Sequence, residues 1–204
     1  MTKKFLERAY GHKPGREAVA FYNEWADTYD AELESGRYMT PVRCASALAE
    51  AGADLDTPTL DFGCGTGLSG EALKREGFTT VDGWDPTPEM LKLAEGRGVY
   101  RVLRQIEPDR PLFAPPNAYG AVNAVGVLSP GLAPPETFEQ LLSFLPKGGL
   151  IAFSLNDHAI EDGTHRAHLE GLVAAGVVEV TFSEYGDHIP GTGLNAWVYV
   201  IRKL

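Results

Sequence analysis

The sequence is poor in cysteine and in basic residues. Of its 204 residues only two are cysteine, Cys44 and Cys64, which are too few to form a disulfide framework. Lysine and arginine together number 18, against 28 aspartate and glutamate residues, and the formal net charge is −10. Because an acidic surface repels phosphate groups, this imbalance argues against a nucleic-acid partner and against an anionic membrane surface.

The sequence also lacks an apolar segment suited to a signal peptide or to a membrane span. Residues 1–10 carry four charges and have no apolar core, which a signal peptide requires. Residues 111–135 are free of charge, but they contain six prolines, and proline interrupts a spanning helix. We therefore expect a cytoplasmic protein that has no membrane partner.

The composition is otherwise that of an ordinary globular domain. Hydrophobic residues make up 44% of the chain and charged residues 23%, close to the averages for folded proteins. Neither an internal repeat nor a linker divides the chain, so we expect a single domain over residues 1–204. Five basic residues fall within residues 1–16, which we interpret as a solvated arm.

Seven predicted strands alternate with helices. Two helices, at residues 17–34 and 40–51, come first, and Thr40 is expected to cap the second of them with Pro41 in its first turn. The alternation predicts an α/β fold with a mainly parallel sheet covered by helices on both faces. The last two strands have no helix between them, which predicts a C-terminal antiparallel hairpin. The predicted strands are residues 57–62, 78–84, 100–106, 121–128, 150–155, 177–185 and 196–202.

The strongest motif is a glycine-rich loop between the first strand and the next helix. Residues 60–67 read LDFGCGTG, and glycines there permit positive φ and allow a ligand to touch the backbone. The helix that follows offers unpaired N–H groups to a ligand. Asp85 lies 18 residues after Gly67, at the end of the second strand, where an acid accepts hydrogen bonds from both hydroxyls of a ribose. Together these features predict a nucleoside site at the carboxyl ends of the strands.

The acid before the loop helps to choose the nucleoside. Residues 65–70 match the dinucleotide pattern G-x-G-x-x-G, but Asp61 stands two residues before the first glycine. A carboxylate repels a pyrophosphate, whereas it attracts the ammonium and sulfonium groups of S-adenosylmethionine (SAM). Asp61 is equally suited to fixing the loop by accepting backbone N–H bonds. This structural role is compatible with attraction of the SAM cation.

The loop resembles motif I of the class I SAM-dependent methyltransferases. Residues 81–91 (VDGWDPTPEML) are similar to the family's next motif, and residues 21–30 (FYNEWADTYD) to the helix that precedes the fold in many members acting on small molecules. Within the family the chain resembles the small methyltransferase-like proteins of the Williams–Beuren region and their bacterial relatives. The resemblance covers about residues 20–202. It implies a Rossmann-like fold, an N-terminal arm and helical cap at 1–52, and a SAM-binding core at 53–204.

The resemblance also implies which residues bind the cofactor. The loop backbone would lie against the methionyl part of SAM, and Asp85 would hold the ribose. Gln105 or Glu107 would reach the adenine amine, and Arg43 either pairs with the SAM carboxylate or lies on the surface. Two tyrosines at i and i+7 of the first helix either cover SAM or belong to the core. The expected cofactor-binding residues are Tyr22, Tyr29, Asp61, Gly63, Cys64, Gly65, Gly67, Asp85, Pro86, Met90, Gln105, Ile106 and Val125.

The acceptor side carries no fixed signature, because the cofactor supplies the difficult chemistry. We expect the acceptor to lie against Ser129 after the fourth strand and against Asn156 and His158 in the loop after the fifth. His158 is the first candidate for a general base, since its pKa lies near working pH, and the alternative is an ordinary surface histidine. His188 is a second candidate. His165 and His168 have the i, i+3 spacing of a metal pair, but no third ligand is evident, so we expect no metal.

These observations predict an enzyme that transfers a methyl group from SAM to a small-molecule acceptor by in-line displacement. The tetrapeptide of amino-methylating nucleic-acid enzymes is not found after the fourth strand, where residues 128–131 read LSPG. Two alternatives remain. One is a protein that binds SAM or its product S-adenosylhomocysteine (SAH) without methyl transfer. The other is an NAD(P)-linked oxidoreductase, which Asp61 and the terminal strand pair disfavour.

Overall fold

The structure is a computed structural model that describes residues 5–8, 15–108 and 110–204. It contains one seven-stranded sheet with the strand order β3-β2-β1-β4-β5-β7-β6. The first five strands pair in parallel, and β7 runs antiparallel between β5 and β6. This confirms the predicted mainly parallel sheet with a C-terminal hairpin. The strands are β1 (Thr59–Phe62), β2 (Val81–Asp85), β3 (Val102–Gln105), β4 (Ala121–Ala124), β5 (Leu150–Asn156), β6 (Val178–Ile189) and β7 (Leu194–Lys203).

Helices cover both faces of the sheet, because the central strands are buried on both sides. Every residue of β1, β4 and β5 is buried, as expected for parallel strands between two helical layers. One face packs on Leu48 and Leu73, and the other packs on Phe138 and Leu169. The helices are α1 (Phe5–Arg8), α2 (Arg16–Gly36), α3 (Thr40–Glu50), α4 (Leu68–Arg75), α5 (Pro88–Arg97), α6 (Thr137–Ser143), α7 (Asp157–Asp162) and α8 (Thr164–Ala174).

The long helix α2 crosses the carboxyl ends of the strands. Its apolar stripe buries Phe21, Trp25 and Leu33, and its last residue packs against the hairpin tip. A Cβ added at Gly36 would lie 2.5 Å from the side chain of Ile189, so only glycine permits this approach. No helix among the described residues combines the length and the apolar character that a bilayer span needs.

Three local expectations are corrected by the structure. Helix α3 begins at Thr40 with Met39 at the cap position, and the Thr40 hydroxyl hydrogen-bonds His188 instead of the helix terminus. Strand β4 ends at Ala124, not at residue 128, because the chain turns at Gly126 with φ of 67°. The segment after β5 forms the extra helix α7 where the sequence suggested a loop.

The division of the chain stays a prediction. Most of the proposed basic arm lies outside the described residues, and the separation into a cap at 1–52 and a core at 53–204 has no independent test. Within the described residues, α2 and α3 do precede the sheet in the order that the sequence indicated.

Candidate functional site

A cavity of about 380 Å³ lies at the carboxyl ends of β1, β2 and β4, underneath α2. This volume falls within the range of small-molecule sites. Nine of the thirteen predicted cofactor residues line it. They are Tyr22, Tyr29, Gly63, Gly65, Asp85, Pro86, Met90, Ile106 and Val125.

The glycine loop forms one wall of this cavity with bare backbone. Gly63 has φ of 71°, and a Cβ there would lie 2.7 Å from the side chain of Val127, which follows β4. Gly65 has φ of 52°, and a Cβ added to it would meet no atom within 4 Å. Because Gly65 also lines the cavity, this space is an open cradle in which a ligand can approach the main chain.

Asp85 is the buried acid of the cavity wall. Its carboxylate accepts hydrogen bonds from the backbone N–H of Gly65 at 2.9 Å and of Thr87 at 2.8 Å. These two bonds fix its orientation, while burial raises its pKa above the ordinary value. An oriented carboxylate with lone pairs facing the cavity is suited to accepting the hydroxyls of a ribose.

Asp61 is sealed beneath the loop and does not line the cavity. Its carboxylate accepts hydrogen bonds from the hydroxyls of Ser69 and Tyr100, both at 2.7 Å, and from the side-chain amide of Asn123 at 3.3 Å. Burial raises its pKa to about 6. The partners are side chains from α4, from the segment before β3 and from β4, so Asp61 joins three elements under the loop.

Gly70, the last glycine of the G-x-G-x-x-G pattern at residues 65–70, makes room for Tyr100, the tyrosine that contacts Asp61. A Cβ at Gly70 would lie 2.3 Å from the Tyr100 hydroxyl oxygen. Three further predicted cofactor residues are also absent from the cavity lining. Gly67 lies under Arg97, Cys64 is buried, and the side-chain amide of Gln105 donates to the carbonyl oxygen of Pro86 at 3.3 Å.

A second part of the cavity lining is mainly apolar. Most of it is formed by the segment after β4, and the imidazole of His165 donates from Nε2 to the carbonyl oxygen of Ala133 at 2.9 Å, which fixes that segment. Sequence reasoning missed these lining residues because they come from separate parts of the chain: the segment after β4, helix α6, and the link between α2 and α3. The residues it did not name as cofactor-binding are Tyr38, Val127, Leu132, Ala133, Pro134, Thr137 and Gln140.

The three catalytic candidates lie outside the cavity lining. Ser129 is buried in the turn after β4, and His158 is exposed on the first turn of α7. The side-chain oxygen of Asn156 accepts the N–H of Ala159 at 3.0 Å and so caps α7. The catalytic roles of these three residues stay predictions.

The remaining candidates are occupied by structural contacts. His188 is buried and bonds Thr40 at 2.6 Å, and burial lowers its pKa to about 4. The Arg43 guanidinium donates to the backbone carbonyls of Glu184 and Asp187, both at 3.0 Å, and thereby holds the hairpin. Among the described residues no cluster of three metal-ligating side chains occurs.

A parallel sheet, an open glycine loop and an oriented acid at the end of the second strand define a nucleoside-binding α/β protein. The chain matches the family described as methyltransferase domain over residues 36–189. It is 30% identical over 195 residues to methyltransferase-like protein 27 of Homo sapiens, covering 94% of this chain and 75% of that protein. The chain therefore belongs to the class I SAM-dependent methyltransferases, and its cofactor is SAM.

Other relatives agree with this family. The chain is 30% identical over 142 residues to a ubiquinone biosynthesis O-methyltransferase of Serratia proteamaculans, covering 68% of this chain and 57% of that protein. Among solved structures, the [4+2]-cyclase SpnF superposes with a TM-score of 0.70 at 17% identity, covering 94% of this chain and 97% of that one. A SAM-dependent methyltransferase of Thermotoga maritima, described as a possible histamine N-methyltransferase, gives 0.63 at 14% identity, covering 89% and 97%. These two likenesses concern the fold.

Proposed function

We propose that the protein transfers the methyl group of SAM by in-line displacement to a small-molecule acceptor bound in the same cavity. The observation that carries the proposal is the cover formed by α2, since Ala18, Val19, Tyr22 and Tyr29 of this helix line the cavity. An acceptor enclosed beneath a helix must be small, whereas a protein or nucleic-acid acceptor needs an open approach. The net charge of −10 also disfavours a nucleic-acid acceptor.

In this proposal the residues at the ends of β1 and β2 hold the cofactor. The carboxylate of Asp85 accepts the ribose hydroxyls, and the backbone at Gly63 and Gly65 contacts the methionyl part. The side chains of Met90 and Ile106, which both line the cavity, provide an apolar seat for the adenine. When bound, SAM supplies an electrophilic methyl group, and the protein has to align a nucleophile with it and exclude water.

The part of the lining that follows β4 holds the acceptor. Val127, Leu132 and Pro134 present apolar surface, while the tyrosines of α2 and Tyr38 add aromatic rings with a polar hydroxyl. Such a surface favours an acceptor that is largely apolar and planar. The enclosure keeps solvent away from the reacting atoms, which strengthens every electrostatic contact within the cavity.

The size of the acceptor is tested by mixing the protein and SAM with a cell extract divided by ultrafiltration. We expect SAH to form with the fraction of small molecules that passes the filter, and mass spectrometry measures the SAH. Formation of SAH only with the retained proteins and nucleic acids would contradict a small-molecule acceptor.

The acceptor wall is tested by Leu132→Trp, which fills that side of the cavity. We expect its turnover to fall by at least about tenfold, while its affinity for SAH changes by less than about twofold. The matched control is Leu93→Trp, because Leu93 is 40% exposed on α5 and does not line the cavity. An equal loss of SAH affinity and turnover in Leu132→Trp would place this residue in the cofactor half.

A further inference from the structure

Helix α2 is tied to the glycine loop by a cluster of four polar side chains: Asp30, Thr66, Glu71 and Arg97. The Thr66 hydroxyl in the loop donates to Oδ1 of Asp30 at 2.6 Å. The Arg97 guanidinium in α5 donates to Oδ2 of the same carboxylate at 2.5 Å. Asp30 is the acid at the end of the motif FYNEWADTYD, and neither the ribose site nor the acceptor wall uses it.

Every nitrogen of the Arg97 guanidinium has an acceptor in this cluster. Nε donates to the backbone carbonyl of Thr66 at 2.5 Å, and a second terminal nitrogen pairs with Glu71 of α4 at 2.9 Å. The Arg97 side chain is 17% exposed and the Asp30 side chain 43%, so the cluster lies at the edge of the protein with its arginine largely covered. A planar guanidinium with three fixed partners orients the groups that it joins.

The third glycine of the loop permits this arrangement. Gly67 has φ of 95°, and a Cβ there would lie 2.8 Å from Cδ of Arg97. Gly67 therefore lets the arginine lie against the loop, and neither residue belongs to the cavity lining.

Through neighbouring loop residues, the cluster connects α2 to Asp85, the acid proposed to bind the ribose. Asp30 holds Thr66, and the neighbouring Gly65 donates its N–H to Asp85 at 2.9 Å. The same helix carries Tyr22 and Tyr29 into the cavity. A second tether joins the side-chain oxygen of Asn23 in α2 to the N–H of Glu89 at the start of α5. Movement of the helix away from the loop would therefore widen the cavity that lies between them.

We propose that Asp30 and Arg97 are positioning residues for the cofactor: they hold α2 closed over SAM and set the glycine loop against Asp85. They act through Thr66 and touch neither the methyl group nor the acceptor. Loss of the cluster releases the helix and speeds the escape of the cofactor, while the apolar stripe of α2 keeps the helix folded. The inference concerns cofactor retention and does not depend on the identity of the acceptor.

The experiment measures SAH affinity by calorimetry and SAH dissociation by stopped-flow fluorescence, together with the melting temperature without ligand. We expect Asp30→Ala and Thr66→Val to raise the Kd of SAH by about tenfold, mainly through faster dissociation. Thr66→Ser keeps the hydroxyl and should restore the wild-type value. Asp30→Asn keeps an acceptor for Thr66 but loses the ion pair with Arg97, so it should speed dissociation less than Asp30→Ala does. It serves if the alanine variant does not fold.

The matched control is Glu179→Gln, which removes the exposed ion pair between Glu179 and Arg202 on the hairpin. It should leave the SAH dissociation rate unchanged. The effects of Asp30→Ala and Arg97→Gln should not add in the double variant, because both break the same cluster.

Three results would overturn the proposal. The first is an unchanged dissociation rate in Asp30→Ala or Asp30→Asn and in Thr66→Val. The second is a loss of affinity that only follows a loss of helix content and of melting temperature without ligand. The third is full additivity of Asp30→Ala and Arg97→Gln.

Discussion

At the scale of single residues, the two acids that flank the glycine loop have separate tasks. The carboxylate of Asp85 is oriented by backbone N–H groups and lines the cavity. The carboxylate of Asp61 is fully buried and accepts hydrogen bonds from side chains in three parts of the chain. One acid therefore lines the cavity, and the other fixes the loop beside it.

This difference leads to a prediction for Asp85. In our proposal Asp85 accepts the ribose hydroxyls. Replacing it with alanine would remove that acceptor and free the N–H of Gly65, so we expect the affinity for SAM to fall by at least about tenfold. Isothermal titration calorimetry measures the change. Asp54→Ala is the control, because Asp54 is exposed in the turn before β1. An affinity equal to that of the wild type would remove Asp85 from the cofactor site.

The residues that could be predicted from the sequence are those whose role is local. The loop glycines and Asp85 follow from one strand–loop–helix segment, and the structure places Gly63, Gly65 and Asp85 on one cavity. The role of Gly70 could not be predicted, since it depends on the packing of Tyr100, which lies 30 positions further along the chain.

The acceptor side was harder to predict, because it depends on how irregular segments fold back. Ser129 follows β4 and Asn156 ends β5, as the sequence indicated. However, the residues around Ser129 form a tight bend, and those after Asn156 form α7. Tyr38 enters the cavity from the link between two helices, where no periodicity marks it. Sequence patterns identify elements well, but they do not show which side of a loop faces a ligand.

At the scale of elements, the hairpin tip supports the link between α2 and α3. The Thr40 hydroxyl of α3 bonds Nδ1 of His188 at 2.6 Å, and the N–H of Met39 bonds the carbonyl oxygen of the same residue at 2.9 Å. The ring of Tyr38 contacts His188 edge-on at 5.2 Å between ring centres. His188 thus fixes Tyr38, which lines the cavity.

The buried histidine predicts a pH dependence of stability. Burial lowers the pKa of His188 from 6.5 to about 4, so the unfolded chain binds more protons between these values. Its contribution to the free energy of unfolding is complete above pH 6.5 and is lost as the pH falls toward 4. The loss amounts to roughly 3 kcal/mol.

Urea unfolding between pH 4 and 7 measures this effect. His188→Asn keeps an acceptor for the Thr40 hydroxyl but cannot titrate, so its stability relative to the wild type should rise as the pH falls through this window. His168→Asn is the control, because His168 lies on α8 and contacts Glu139 instead of the hairpin tip. A difference between His188→Asn and wild type that stays constant with pH would contradict the assignment.

At the scale of the whole molecule, the fold and the cavity together predict that SAM raises the melting temperature of the protein. A ligand present at about 100 times its Kd adds about 2.7 kcal/mol to the free energy of unfolding. For a chain of this length, the melting temperature should rise by roughly 5–10 °C. We expect this shift with SAM and with SAH, and no shift with NAD⁺ or NADP⁺. A shift with the dinucleotides alone would mean that the cavity takes a pyrophosphate.

The contact between α3 and the hairpin tip sets an order of events during synthesis. Thr40 and its partner His188 are separated by 148 positions, and the packing of Gly36 on Ile189 joins equally distant parts of the chain. The first helices therefore leave the ribosome long before the surface that receives them exists. Strands β1 and β2 can assemble earlier, but the cavity gains its cover only when synthesis has passed residue 189. A nascent chain stalled before residue 189 should thus expose an open site that holds SAM only briefly.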